Sequence, residues 1–409
     1  MHLEQIPLGS KRLKAFVSVP WELYRRLDDI SPEERANWRH PLNFELLGLN
    51  LPLFKHIGLM QPEHPYHQHS KVMHWVAWER GKPVGRIAAS VNYKLLDKGE
   101  EFESAGFFGF FECINSIEIS RELLDAAAQW LVENGCSRMI GPGGYSNTTH
   151  EPYQGVLVEG FNSPPSVELS YNPSYYPHLM ESYGLEKLMD YVTYDFTLAG
   201  FLGSYSKREG FLRNLTELVE AEGITVTPLN PHQLEYEVNR IVAIYNQAWK
   251  HNWGFSEITR QEAEMMADSL KMVVDPELVL FAQCGDKDVA VLGCIPDPYQ
   301  IIRPIWPRFG EKLVNSDFIR LGKLLYARLT PGPLSPHLRV MFLGVLEGER
   351  KKPLLGLMFY RLAEQAKQKG YQSADASLLL EHNHDVINLC KRFGGVCSKR
   401  YRIYQKIIS

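Results

Sequence analysis

Two stretches in the last sixty residues hold groups able to bind phosphate and to move protons. In the first, Arg350-Lys351-Lys352-Pro353-Leu354-Leu355-Gly356 sets three cations and a proline ahead of an apolar helical run. Proline suits a first helical turn. The orphan N–H groups of such a turn attract anions, and flanking cations add charge-assisted contacts to phosphate. The plain alternative is a basic helix cap with no ligand. In the second, Glu381-His382-Asn383 ends an apolar strand and leads to Cys390, Gly394-Gly395 and the aromatic run Tyr401-Arg402-Ile403-Tyr404. A carboxylate can take a proton from an amine through water, and a phenol can return one to a leaving group. The competing roles are a dipole-stabilised helix acid for Glu381 and core packing for Tyr401 and Tyr404. The two tyrosines are read here onto one face of their strand.

The second stretch has an earlier copy. Asn172-Pro173-Ser174-Tyr175-Tyr176 leads through Leu179-Met180 to Gly184-Leu185, then to Lys187 and Asp190-Tyr191-Val192-Thr193-Tyr194. Both copies read as a strand end, an Asn, a short helix, a Gly stop and a Tyr-containing strand. They lie about two hundred residues apart, whereas solenoid repeats recur every 20–50 residues or so. The spacing therefore predicts two domains of one fold.

The elements that must position these groups repeat as well. His74–Trp78 and Val84–Val91 predict a hairpin, Phe107–Phe111 a buried central strand, Arg121–Asn134 a helix and Arg138–Gly141 a further strand. In the second half a helix spans Glu235–Trp249, a hairpin joins Leu278–Ala282 to Val289–Cys294, and Arg339–Val345 is the central strand. Leu354–Lys369 and Ala374–Leu380 supply the next helix and strand. Strands and helices in this order make an α/β (α+β) chain of two twisted mixed sheets flanked by helices. The expected domains are 1–200 and 201–409, with a weak linker signal at Ala199-Gly200-Phe201-Leu202-Gly203-Ser204. Residues 296–336 interrupt the second half and hold Ile301, Ile302, Ile305, Trp306 and Phe309. They read either as a substrate-side loop acting as an apolar lid or as plain packing.

The chain has 409 residues, 44% hydrophobic and 22% charged, with a formal net charge of −4. That balance disfavours a broad footprint for nucleic acid. The six cysteines show no Cys-x-x-Cys pair and read as reduced thiols of a cytoplasmic protein. Met1-His2-Leu3-Glu4-Gln5 lacks the pattern of a signal peptide, and no apolar run is long enough to span a bilayer. Peripheral contact with the inner membrane face stays open. Oligomeric state has no signal. His64, His67, His69 and His74 have zinc-like spacing, but no partner ligands close a site, so no metal is expected. The absence of Gly-x-Ser-x-Gly and of a Walker lysine loop argues against a serine hydrolase and an NTPase.

The tail resembles the ending of the GCN5-related N-acetyltransferase (GNAT) fold, with Asn383, Val386, Leu389, Gly394 and Gly395 in place. Cys390 stands where that fold commonly has a Tyr acid. Lys351 to Gly356 resembles its pyrophosphate motif, with Leu354 replacing the middle Gly. The first half's counterpart, Glu112-Cys113-Ile114-Asn115-Ser116, has neither glycine nor base. A narrower resemblance rests on Phe108-Gly109-Phe110-Phe111-Glu112, Gly155–Phe161, Tyr171–Tyr176, Tyr245–Trp249, Asn252–Phe255 and Glu381-His382-Asn383. It is to tandem-domain bacterial proteins similar to bacterial ceramide synthases.

The resemblance implies acyl-CoA as co-substrate, no metal, and a small-molecule or lipid amine as acceptor, a sphingoid base in particular. Val345, Arg350, Lys351, Lys352, Leu355, Gly356 and Asn383 would then hold CoA, and the first domain would have lost it. Glu381 is the leading base, with Tyr401 or Tyr404 as acid. Glu112, Tyr145, Asn147, His150, Tyr175 and Trp253 are expected to line the amine side. The rival readings are a non-catalytic acyl-CoA or lipid binder and an aminoacyl-tRNA-dependent transferase of the same fold.

Overall fold

The computed structural model describes all residues except 27–28, 52–53, 97–101, 144, 146–153, 207–209, 272, 350–352 and 409. Its strands are β1 (His2–Ile6), β2 (Leu49–Leu51), β3 (Phe54–His56), β4 (Ser70–Glu79), β5 (Lys82–Asn92), β6 (Ala105–Cys113), β7 (Arg138–Gly141), β8 (Val156–Glu159) and β9 (Glu186–Thr197). They continue as β10 (Ile224–Pro228), β11 (Val279–Cys284), β12 (Lys287–Pro296), β13 (His337–Val345), β14 (Ser373–Leu380) and β15 (Val396–Ile407).

The chain forms two compact units that no single cut separates. The first comprises Met1–Tyr191, Arg303–Ile319 and Lys399–Ser409; the second comprises Val192–Ile302 and Arg320–Ser398. Strand order in the first is β1-β4-β5-β6-β7-β15, with β8 also on β15. In the second it is β10-β11-β12-β13-β14-β9. Each unit has antiparallel neighbours up to its central strand, then one parallel pair, β6–β7 or β13–β14. The closing strands are exchanged. β15, from the end of the chain, pairs antiparallel with β7, Tyr404 opposite Gly141. β9, from the first half, lies beside β14.

The predicted helices form with shifted ends. Ile117–Glu133 starts earlier than expected because the Ser116 hydroxyl caps it, accepting from the Ile119 amide at 3.3 Å. It buries Leu123, Leu124, Ala127 and Leu131 against Phe108, Met139 and Tyr404. In the second unit the helix Leu354–Gln368 buries Leu357, Met358 and Leu362 against Leu280, Leu292 and Leu338. Full burial of such a side chain stabilises by roughly 1.5–3 kcal/mol, so these faces set the packing of each sheet.

The expected linker is instead a packed helix, Leu198–Ser206. Phe201 and Tyr205, four residues apart, pack on Phe393, the latter stacked at 4.6 Å. Glycines within the run hid its helical spacing. The insertion at 296–336 also departs from the lid expectation. Trp306 packs on Trp21 and Trp38 within the first unit, and Glu311 pairs with Arg25 at 2.9 Å. Asp317 accepts from the amides of Asn43 and Phe44 at 2.9 Å each. Those contacts make Arg303–Ile319 an anchored part of the first unit.

Candidate active site

In the second unit β13 and β14 pair in parallel from His337/Ser373 to Val340/Ala376 and go no further. Beyond that point Met341, Phe342, Leu343 and Ser377 to Leu380 are all half-buried. The strands thus separate into a lined, accessible cleft. Several local features hold it open. The β12–β13 register shifts between Gly293 and Cys294, leaving Met341 as a bulge. Gly293 faces the Phe342 ring so closely that a Cβ would lie 2.3 Å from it. Trp249 Nε1 donates to the Leu343 carbonyl at 2.8 Å, tying the free half of β13 to the helix Leu234–Trp249. On the other side Leu378 has φ +55°, a left-handed conformation costing an L-residue on the order of 1–2 kcal/mol.

The described residues among those expected to hold CoA lie at the ends of β13 and β14 and at the helices that follow them. Val345 ends β13 and is buried. Pro353 is the N-cap of the helix Leu354–Gln368, so the amides of Leu354, Leu355 and Gly356 fall in its first turn and have no intrahelical acceptor. Arg350, Lys351 and Lys352 lie outside the described residues. Glu381 follows β14 directly and is half-buried. Asn383 is the N-cap of the helix His384–Arg392, its side chain accepting from the Val386 amide at 3.4 Å. The first-half copy, Asn172, instead clamps β8: it accepts from the Leu157 amide at 2.7 Å and donates back to the Leu157 carbonyl at 3.2 Å.

No family model matches the chain. A bacterial ceramide synthase from Caulobacter vibrioides (strain NA1000 / CB15N) is 27% identical over 411 residues, covering 99% of this chain and 98% of that protein. Protein YghO of Escherichia coli (strain K12) is 26% identical over 407 residues, covering 98% and 94%. Among solved structures, a tandem GNAT protein from the clavulanic acid biosynthesis pathway superposes with a TM-score of 0.52 at 11% identity, covering 100% of this chain and 99% of that chain. The chain has the tandem GNAT fold.

In this fold the tyrosines of the last strand do not join the second unit. Tyr401 and Tyr404 belong to the first, because β15 closes that sheet. Nor do they share a face. Three residues apart in unbulged strand, they point to opposite sides, Tyr401 opposite Leu157 and Tyr404 into the first core. The Tyr404 hydroxyl donates to Glu181 at 3.4 Å. The matching residue of the earlier repeat, Tyr194, lies in the second unit instead. It packs with Ala376, Ile387 and Cys390 in one buried cluster of the second unit. Burial pushes the Cys390 thiol up to about 12, so it stays protonated.

A second group escaped the sequence reading. His337 Nε2 meets buried Asp375 at 2.8 Å and its Nδ1 meets Ser373 Oγ at 2.8 Å. Ser377 donates to the other Asp375 oxygen. Burial opposes the imidazolium, but Asp375 outweighs it and holds His337 above its ordinary range. This dyad sits where β13 and β14 are still paired, at the closed end of the cleft. His337 and Asp375 are 38 residues apart on neighbouring strands, so no local motif announces them.

The first unit's parallel pair is filled rather than open. Every residue of β6 is buried. The Gly143 amide donates to the Phe108 carbonyl at 2.9 Å, folding the chain after β7 across the gap. Glu112 is 2% exposed and receives the Tyr176 hydroxyl at 2.7 Å, with Arg86 Nη2 at 3.8 Å. Burial pushes its carboxyl up to about 7 against the pull of Arg86 and Tyr176. Tyr175 donates to the Cys113 carbonyl at 2.8 Å. Tyr145 is fully buried against His74, whose imidazole burial lowers to about 3. These residues belong to the first unit, Tyr175 half-buried and the others buried, and Asn147 and His150 lie outside the described residues. Trp253 belongs to the second unit, half-buried in the loop after the helix Leu234–Trp249. Asn246 braces that loop through two bonds to Ile258, each 3.0 Å. Among the described residues no group of three or more His, Cys, Asp or Glu could hold a metal ion.

Proposed function

We propose that this acyltransferase moves a long-chain acyl group from acyl-CoA to the amine of a sphingoid-type lipid, and that the second unit holds the thioester. The observation that carries the reading is the contrast between the two parallel pairs. β13 and β14 part into a half-exposed cleft, whereas β6 is buried throughout. The name of the Caulobacter relative supports the acceptor class.

In this reading the CoA pyrophosphate lies on the first-turn amides of Leu354, Leu355 and Gly356, with Arg350, Lys351 and Lys352 supplying charge. The pantetheine arm runs along the free edges of β13 and β14 toward Asn383. The amine nitrogen attacks the thioester carbonyl carbon, so a C–N bond forms as the C–S bond breaks. Glu381 takes the amine proton through water, and the Tyr194 phenol protonates the departing thiolate. Bulge amides near Met341 offer donors to the developing oxyanion.

The test is a thermal-shift titration with CoA, acetyl-CoA and palmitoyl-CoA, followed by mass-spectrometric detection of N-acyl product from a sphingoid base. Saturable stabilisation is expected, largest for palmitoyl-CoA, reaching about 2.7 kcal/mol at a hundred times the dissociation constant. Lys351→Glu with Lys352→Glu should weaken it. No shift with any of the three ligands would overturn the reading.

A further inference from the structure

We propose that the helix Asp317–Leu329 docks this protein on an anionic lipid bilayer. Its two faces are opposite in character. Arg320 and Leu324 are buried, and Arg320 Nε donates to the Ile302 carbonyl at 2.9 Å, so this side seats the helix. The other side carries Phe318 (84% exposed), Leu325 (47%), Tyr326 (72%) and Leu329 (84%). At 100° per residue these four positions, with exposed Gly322, fall within about a 100° arc. Neither helix propensity nor packing requires large apolar groups there, since nothing among the described residues covers them. Exposed side chains this large in one continuous stripe mark an interaction surface.

Charge identifies the partner. From Arg303 to Leu329 the exposed charged residues are Arg303, Arg308, Lys312 and Arg328, all cationic. Both acids of the segment turn inward: Glu311 pairs with Arg25, and Asp317 accepts backbone amides of Asn43 and Phe44. A chain of net charge −4 has thus kept its acids off the exposed positions of this segment. Phe309 and Leu313, 81% and 68% exposed, are interspersed in sequence with Arg303, Arg308 and Lys312. Aromatic and leucine side chains flanked by Arg and Lys are the composition of helices that lie in the headgroup region of a membrane. Anionic headgroups would add attraction for each cation near the surface. No helix among the described residues is long and apolar enough to cross the bilayer, and this surface does not need one.

The experiment is flotation of the full chain with vesicles of phosphatidylcholine containing phosphatidylglycerol, beside phosphatidylcholine alone, at low and high salt. Binding is expected only with the anionic vesicles, weakened by salt. Phe318→Ser with Leu329→Ser, both at solvent-facing positions, should weaken partitioning about a hundredfold while leaving Tm and acyl-CoA binding unchanged. Tyr326→Trp should show a blue-shifted emission with the same vesicles. No binding to anionic vesicles, equal binding to both vesicle types, or equal binding by the double variant would each overturn the proposal. So would a double variant that converts a dimer to a monomer without changing flotation, since the stripe would then cover a second copy. The surface argument is independent of the reaction, so its failure leaves the acyl-CoA titration to be judged by itself.

Discussion

Glu112 is a buried carboxyl of the first unit. Its carboxyl is pushed from 4.5 to about 7 by burial, so the native protein keeps a proton that the unfolded chain releases first. The unfolded state then binds fewer protons between these values, and stability falls as pH rises through that window. The full loss is roughly 3 kcal/mol. Glu112→Gln should remove this component: chemical denaturation at pH 5 and pH 8 should show a smaller difference for the variant than for the parent. A variant with the parent's pH slope would mean that Glu112 is not titrating there. In the second unit Tyr194→Phe should lower turnover by about a hundredfold or more with acyl-CoA affinity unchanged. Tyr404→Phe should leave turnover near normal, because its hydroxyl serves Glu181 in the other unit. Comparison of kcat for the two variants decides which tyrosine reaches the thiolate.

At the scale of elements, the cleft depends on how β13 and the helix His384–Arg392 are held. Gly293→Ala would put a methyl 2.3 Å from the Phe342 ring, which costs roughly 1–3 kcal/mol if the ring is forced to move. Because the ring borders the bulge at Met341, palmitoyl-CoA affinity should fall together with Tm. Asn383→Ala removes an N-cap and should cost about 1 kcal/mol by denaturation. Asn383→Ser, which restores a cap with a shorter side chain, should recover stability. If acyl-CoA affinity also returns fully with Ser, the Asn amide has no ligand role. The elements themselves were largely legible beforehand. Apolar runs and the turn residues between them located both hairpins and central strands, and the short repeat located both tail helices. The helix Leu198–Ser206 is hidden in the sequence because Gly200 and Gly203 interrupt its run, and its anchors, Phe201 and Tyr205, show their purpose only against Phe393.

For the whole molecule, strand exchange makes the two halves of the chain share the closure of both sheets. A chain ending at Ser398 should therefore lose protection in the first unit. Hydrogen exchange should quicken at β7 and β8, whose partner residues on β15 run from Arg400 to Ile407. Amides of β11 and β12 in the second unit should change far less, since neither pairs with β15. Unprotected β11 and β12 with intact β7 and β8 would show that the last strand closes its own half instead.

The sequence by itself determined the fold class, the duplication, the central strands and the residues flanking the second parallel pair. Those signals are local: periodicity, turn residues and a short repeat of Asn, Gly and Tyr are readable along one segment. Tertiary structure alone decided which tyrosine sits beside Cys390, where the first unit ends, and that His337 and Asp375 meet. The physical reason is that sheet pairing is chosen by hydrogen bonding and burial between distant segments. β9 and β15 carry equivalent patterns, Tyr191-Val192-Thr193-Tyr194 and Tyr401-Arg402-Ile403-Tyr404, so either suits either sheet in local terms. What separates them lies far away in the chain: Leu157 and Gly141 opposite β15, and Ala376 against Tyr194.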